Sequence, residues 1–556
     1  MQKGEKMTNR TLRSLFYNSV EKNSSHPSLG FVGEDPLTFK EVKNKVESLV
    51  AFLQHKGIKK GDKVGIYSEN QPHWGVAYFA LVTIGAIAVP LLPDFHEDEI
   101  ENILKHSESK ALFVSDSLYR KIKTEVLKRL DFSVLLDNFS LLNQNEEQES
   151  GGETILNTFE GEKVDEVEIS EDDLASIIYT SGTTGKSKGV MLSHKNLAFT
   201  AEKAGKIHPM GPADRLLSIL PLSHTYENSI AFILPFSAGA WVNYLRKPPI
   251  PAVLLPALKK VKPTIMLSVP LIIEKVYKGK VLKELNSKFI TRSLYKFAPT
   301  RKLLNYVAGK KLKETFGGHL KFFGIGGAKL DPSVESFLIE AKFPYAIGYG
   351  LTETSPLLAG FDSFQGKHKS TGPAMEGVTL KINDPDPSTG QGEIWAKGDN
   401  VMQGYYKEPE LTAEVLTDDG WFKTGDLGCF DESGYLFIKG RLKNMIVGAS
   451  GENIYPEEIE AVINRFKHVV ESVVVQKKGR LVAMVHFNME EIEAKYREMK
   501  EQAGQYVDKQ LDDLTVELQQ FVNSRVNKYS RVQVVIASAT PFEKTATKKI
   551  KRFLYY

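Results

Sequence analysis

Cysteine is all but missing from this chain: Cys429 is the only one in 556 residues. One thiol closes no internal disulfide and supplies no cysteine-based zinc site, which suits a reducing compartment. Such a residue is expected as a small buried apolar side chain rather than a nucleophile. An excess of one charge is missing too: 72 Lys+Arg against 69 Asp+Glu leave a formal +3. That balance predicts no nucleic-acid partner and leaves anion binding to local charge. The first residues (MQKGEKMTNRTLRSLF) lack the apolar run of an export signal, so a cytoplasmic location is expected, with Met7 as an alternative start. Residues 74–93 (WGVAYFALVTIGAIAVPLLP) carry no charge over 20 residues, near the length of a membrane span. Gly85 interrupts that run and VPLLP reads as a strand entering a loop, so a buried helix of about 12 residues followed by a strand is expected.

What is present is alternation. From Leu29 to about Lys439, apolar strands such as residues 63–67 (KVGIY) and 110–115 (KALFVS) alternate with segments of helical period, the pattern of a layered α/β fold. Residues 143–173 are acidic with few large apolar side chains and read as a surface connection before a strand at 175–179. After Gly440 the pattern shifts to strands at 469–476 and 481–487 and a long helix whose Leu511, Leu514, Leu518 and Val522 recur every three or four residues. The chain closes on a basic run, residues 544–552 (KTATKKIKR), which reads as a solvated face.

Three loops carry chemistry. Residues 180–189 (TSGTTGKSKG) pack three glycines, five hydroxyls and two lysines into ten positions, a set of donors suited to a polyphosphate. Gly185-Lys186-Ser187 matches the end of GxxxxGK[ST], yet the position that requires its first glycine holds Thr180. The loop also lies between two strand-like pieces, whereas a Walker loop opens directly onto its helix; here Ser193 would cap the next helix. In Tyr349-Gly350-Leu351-Thr352-Glu353-Thr354 an aromatic face suited to a purine lies beside a carboxylate suited to magnesium. Gly425-Asp426 offers a carboxylate that could accept both hydroxyls of a ribose.

In this order the pieces resemble the adenylate-forming superfamily of acyl-CoA synthetases, nonribosomal-peptide adenylation domains and luciferases. The resemblance runs from about Leu29 to Arg552 through YTSGTTGKSKGVMLSH, LPLSHTYE, GIGGA, GYGLTET, WFKTGDLG, KGRLKNMI, SGENIYPEEIE and KTATKKIKR. It implies a large N-terminal adenylation domain, residues 1–440, of layered α/β subdomains plus a β-barrel-like subdomain, and a small mobile α+β C-terminal domain, residues 441–556. It also implies ATP, Mg2+ and coenzyme A as participants in adenylation followed by thioester formation.

By the same resemblance Thr180, Ser181, Gly182, Thr183, Thr184, Gly185 and Lys188 wrap the phosphates, with Thr184 and Glu353 near the metal. Thr352 meets the α-phosphate, and Tyr349 and Gly350 lie against adenine. Asp426 and Arg441 hold the ribose, and Gly326, Gly327 and Ala328 let backbone approach adenosine and acyl group. Lys549 matches the catalytic lysine, although the glycine usual before it is Lys548 here. His224 matches the histidine beside the substrate carboxylate, Lys443 the hinge, and Ser450, Gly451 and Glu452 the thioester-forming loop. LPLSHTYE and PFEKTATKKIKRF look like the long-chain fatty acyl-CoA branch, with an acyl-carrier-protein acceptor as the alternative to coenzyme A and a catalytically silent lipid- or nucleotide-binding homologue as a further one. Where some bacterial long-chain enzymes place an aromatic gate, four positions after the histidine, this chain has Asn228. A fatty-acid substrate suggests peripheral membrane association, assisted by the basic C-terminal run.

Overall fold

The computed structural model describes residues 10–142, 154–181, 187–286, 289–447, 453–477, 479–492, 506–545 and 549–556. Two eight-stranded sheets dominate the N-terminal part. The first is parallel at its centre, with Lys63–Tyr67 between Ile87–Leu91 and Ala111–Val114, and gains the antiparallel hairpin Leu174–Ser181 and Ser187–Ser193 on one side. The second runs parallel from Pro27–Phe31 through Trp241–Tyr244, Arg215–Leu217, Ile265–Ser268 and Phe322–Ile325 to Tyr345–Gly350, then turns antiparallel into Leu357–Gly360.

Helices fill the space between the sheets. The uncharged stretch resolves into the helix Pro72–Thr83 and the strand Ile87–Leu91, with Gly85 at φ +71° in the turn. That helix is apolar on every side because it is covered on nearly every side. One core cluster joins it to Phe16, Val46, Leu197, Phe232 and strand residues of both sheets. Among the described residues no helix is long and apolar enough to cross a membrane.

A four-stranded antiparallel sheet, Val378–Asn383, Gly392–Gly398, Phe422–Phe430 and Leu436–Arg441, stands where the β-barrel-like subdomain was expected. From Ile446 onward the described residues form a smaller α+β unit with its own core. Its three-stranded sheet, Val469–Lys477, Arg480–Phe487 and Val534–Ser538, packs against the helix Tyr506–Asn523, whose Leu514, Leu518 and Val522 are buried as their spacing predicted.

Two expectations are corrected. Cys429 is half-buried rather than buried, because it lies on the last strand pair of the small antiparallel sheet. Among the described cations of the basic run 544–552, three face carboxylates rather than solvent alone: Lys544 pairs with Glu471, Lys551 lies 3.7 Å from Glu543, and Arg552 binds Glu460 at 2.6 Å. Lys548 lies outside the described residues.

Candidate active site

Thr180 and Ser181 pair with Lys188 and Ser187 across an antiparallel hairpin, the last described pairs of that ladder. The next helix, His194–Ile207, starts later, with Ser193 accepting from Asn196 N–H as its cap. Gly182, Thr183, Thr184 and Gly185 lie outside the described residues. Opposite Thr180 on this hairpin, the Lys188 ammonium sits 5.0 Å from the centre of the Tyr405 ring, and the Tyr405 hydroxyl donates to Glu353 Oε1 at 2.9 Å. Burial and the Glu353 charge keep that phenol protonated. Tyr405 was not singled out by the sequence; its only trace there is a Tyr-Tyr pair after Gly404, and its role depends on Gly404–Tyr405 pairing with the phosphate hairpin.

Glu353 is presented by a tight turn. A side chain at Gly350 would place its Cβ 1.7 Å from the Pro356 carbonyl oxygen, so only glycine lets the chain fold back there. Thr354 then fixes the turn Thr352–Thr354 by accepting from Leu351 N–H at 3.0 Å and donating to the Pro356 carbonyl at 2.6 Å.

Asp426 and Arg441 face each other across adjacent strands and pair at 2.7 Å. The other Asp426 oxygen accepts from the Tyr349 hydroxyl at 2.8 Å. Burial pushes the Asp426 carboxyl up, while Arg441 and Tyr349 hold it back toward ionisation. A carboxylate offers about four lone-pair sites, so both oxygens keep capacity for a ligand's hydroxyls.

Lys549 reaches this group from the C-terminal unit. Its hairpin is closed by Thr545 N–H to the Lys549 carbonyl at 2.7 Å and Lys549 N–H to Thr545 Oγ1 at 3.2 Å. The lysine remains open to solvent but is ringed by protein. Crowding and Arg441 lower its pKa, opposed by Asp426 and Glu353. On the same cleft, burial first and Lys549 second hold the His224 imidazole down at about 4. Its Nδ1 accepts from Tyr226 N–H at 3.2 Å, so the neutral ring carries its proton on Nε2.

Gly326, Gly327 and Ala328 follow the strand Phe322–Ile325, with Gly327 at φ +82° and the Tyr226 ring 3.1 Å from where a Gly326 Cβ would lie. Behind them is an apolar cavity of about 50 Å³, walled by Tyr226, Ile230, Leu234, Leu267, Gly324 and Gly348 among others, with room for a few methylene-sized groups. The His208 ring also lines it, stacked on Phe322 at 4.5 Å between centroids and tied to Asp362 at 2.8 Å. Asn228 is buried and does not line the cavity; Tyr226, Ile230 and Leu234, four residues apart, form the wall instead.

Lys443 lies exposed in the one-turn helix Leu442–Asn444 between the two parts. Ser450, Gly451 and Glu452 lie outside the described residues. Among the described residues no three His, Cys, Asp or Glu side chains form a metal cage. Glu353 alone still fits the donor set of a magnesium ion, which takes one or two carboxylates and completes its shell with phosphates and water.

The family model described as AMP-binding enzyme matches residues 16–406. The chain is 31% identical to the long-chain-fatty-acid–CoA ligase heimdall of Drosophila melanogaster, over 82% of this chain and 73% of that one. It is 29% identical to the chloroplastic long-chain-fatty-acid–[acyl-carrier-protein] ligase AEE15 of Arabidopsis thaliana, over 87% and 77%. Among solved structures, the ATP-bound RpMatB-BxBclM chimera B1 superposes with a TM-score of 0.77 at 25% identity, over 98% of both chains.

Proposed function

The chain belongs to the AMP-binding enzyme family, and on that footing we propose that it activates a fatty acid with ATP as the acyl-adenylate and then passes the acyl group to coenzyme A. The observation that carries this reading is the convergence of Lys549 from the C-terminal unit on Arg441, Asp426, Glu353 and His224, beside an apolar cavity. In the first step a carboxylate oxygen bonds to the α-phosphorus while the bond to pyrophosphate breaks. Negative charge spreads over the transferring and leaving groups, and Lys549, Thr352 and the 180–189 loop are the donors that neutralise it. Tyr349 would lie along adenine, and Asp426 with Arg441 would hold the ribose.

The neutral His224 fits a hydrogen bond from Nε2 to the substrate carboxylate, which it orients without adding charge. Magnesium would be held by Glu353 and Thr184 and would supply charge neutralisation at the phosphates. In the second step the coenzyme A thiol displaces AMP, giving acyl-CoA. The part of the chain after Lys443 would turn about that residue to bring Ser450, Gly451 and Glu452 to the thiol. The apolar lining of the cavity supports an alkyl chain, and a cytoplasmic site of action belongs to the same proposal.

ATP–pyrophosphate exchange over a series of fatty acids tests the reading: exchange that depends on the acid supports it, and none with any acid removes it. Similarity to an acyl-carrier-protein ligase favours a second reading in which carrier protein replaces coenzyme A. Mass spectrometry of the thioester formed when both acceptors are offered decides between them.

A further inference from the structure

The chain's positive charge is concentrated in one place. Residues 270–316 hold twelve Lys and Arg against three Asp and Glu, a net +9, while the rest of the chain is at −6. The described residues of this stretch form a helical lobe packed on the second sheet. Its Val281, Leu285, Leu312 and Phe316 share a core cluster with Phe323 and Ile325, on the strand whose Phe322 and Gly324 also wall the apolar cavity.

The lobe's outer face is apolar where a water-facing surface should be polar. Phe289 is 75% exposed, Ile290 70%, Phe297 65% and Leu303 64%. The helix Phe289–Leu294 buries no residue. In the helix Ala298–Thr315, Asn305, Gly309 and Leu312 are buried. At about 100° per residue, Leu303, Val307 and Lys310 fall on the opposite side. The helix cannot roll to hide them, because a Gly309 Cβ would already lie 2.5 Å from the Ala341 carbonyl oxygen. Contiguous exposed apolar side chains rimmed by polar ones mark a binding surface.

We propose that this lobe docks the protein on an anionic lipid surface. Ten of its twelve cations are lysines, a residue depleted from protein–protein interface cores but suited to snorkelling toward phosphate headgroups while its stem covers apolar surface. Lys310 over the Tyr306 ring at 4.9 Å and Arg292 over Phe289 at 5.7 Å show cation and apolar body already side by side. Because no described helix can cross a bilayer, the contact is one that lies on the membrane, with the aromatic and aliphatic side chains entering the headgroup boundary and the lysines meeting its charge. This relocates the membrane contact from the C-terminal run, whose described cations are committed elsewhere, to residues 270–316.

Co-sedimentation of the full chain with vesicles of equal parts phosphatidylcholine and phosphatidylglycerol, and with pure phosphatidylcholine vesicles, tests the assignment. The expected result is binding to the anionic vesicles that falls as salt rises and drops about tenfold or more both in Phe289→Ser/Ile290→Ser/Phe297→Ser and in Lys302→Glu/Lys310→Glu. ATP–pyrophosphate exchange with a water-soluble medium-chain acid should be equal in all three proteins. That readout shows the variants are folded and separates a failure of the membrane assignment from a failure of the enzymatic one. Equal vesicle binding by wild type and variants, or none by wild type, overturns it. So does self-association that both variants abolish while vesicles stay unbound, which would make the face a protein interface.

Discussion

Lys549 is held where three charges act on it at once, Arg441 against its proton and Asp426 and Glu353 for it. A cation in that position stabilises charge only while the cleft is closed around it. Lys549→Ala is therefore expected to lower acid-dependent ATP–pyrophosphate exchange on the order of 10²–10³-fold, the cost of losing one oriented donor. Unchanged exchange in that variant, with the loss in Lys548→Ala instead, would reverse the assignment. At this scale much of the site was legible, because residues such as Thr352 with Glu353, or Gly425 with Asp426, are neighbours in the chain and their grouping survives in the sequence. Tyr405 was not, since it meets Glu353 across 52 positions and no local pattern records that distance.

The helical segment after His224 does two jobs on two sides. Glu227–Ile233 is a π-helical stretch, wider than an α-helix and often associated with functional sites. Tyr226, Ile230 and Leu234 face the cavity, while Glu227 is fully buried on another side, with Oε1 accepting from Ser218 at 2.6 Å. Burial pushes the Glu227 carboxyl up to about 8 from an ordinary 4.5. Between those pH values the folded chain keeps a proton that the unfolded chain has released, so the stability Glu227 contributes is whole below pH 4.5 and is lost as pH rises to 8. Glu227→Gln stays neutral throughout. Its stability relative to wild type should rise between about pH 5 and pH 8, by roughly 3–4 kcal/mol at about 1.4 per pH unit while only the unfolded chain is ionised. Urea unfolding at the two pH values measures it, and a flat difference would mean that Glu227 ionises alike in both states.

On the scale of the whole molecule, Glu353, Asp426 and Arg441 stand on one part and Lys549 on the other, joined at the exposed turn Leu442–Asn444. If that turn is the hinge, Lys443→Pro should slow thioester formation at least about tenfold more than adenylation, because proline fixes the torsion that a rotation must change. Pre-steady-state measurement of the two half-reactions checks it, and equal loss in both would place the hinge elsewhere. The sequence by itself determined the alternation of strands and helices and the buried helix Pro72–Thr83, and it grouped the glycines, hydroxyls and lysines of residues 180–189 in one loop, because each is a property of contiguous residues and their period. Only the tertiary structure decided which described cations of the C-terminal run are paired, where the apolar cavity lies, and which face of the described residues in 270–316 is left uncovered. Those outcomes depend on surfaces brought together from distant parts of the chain, and burial is a property of the packed whole that no local spacing encodes.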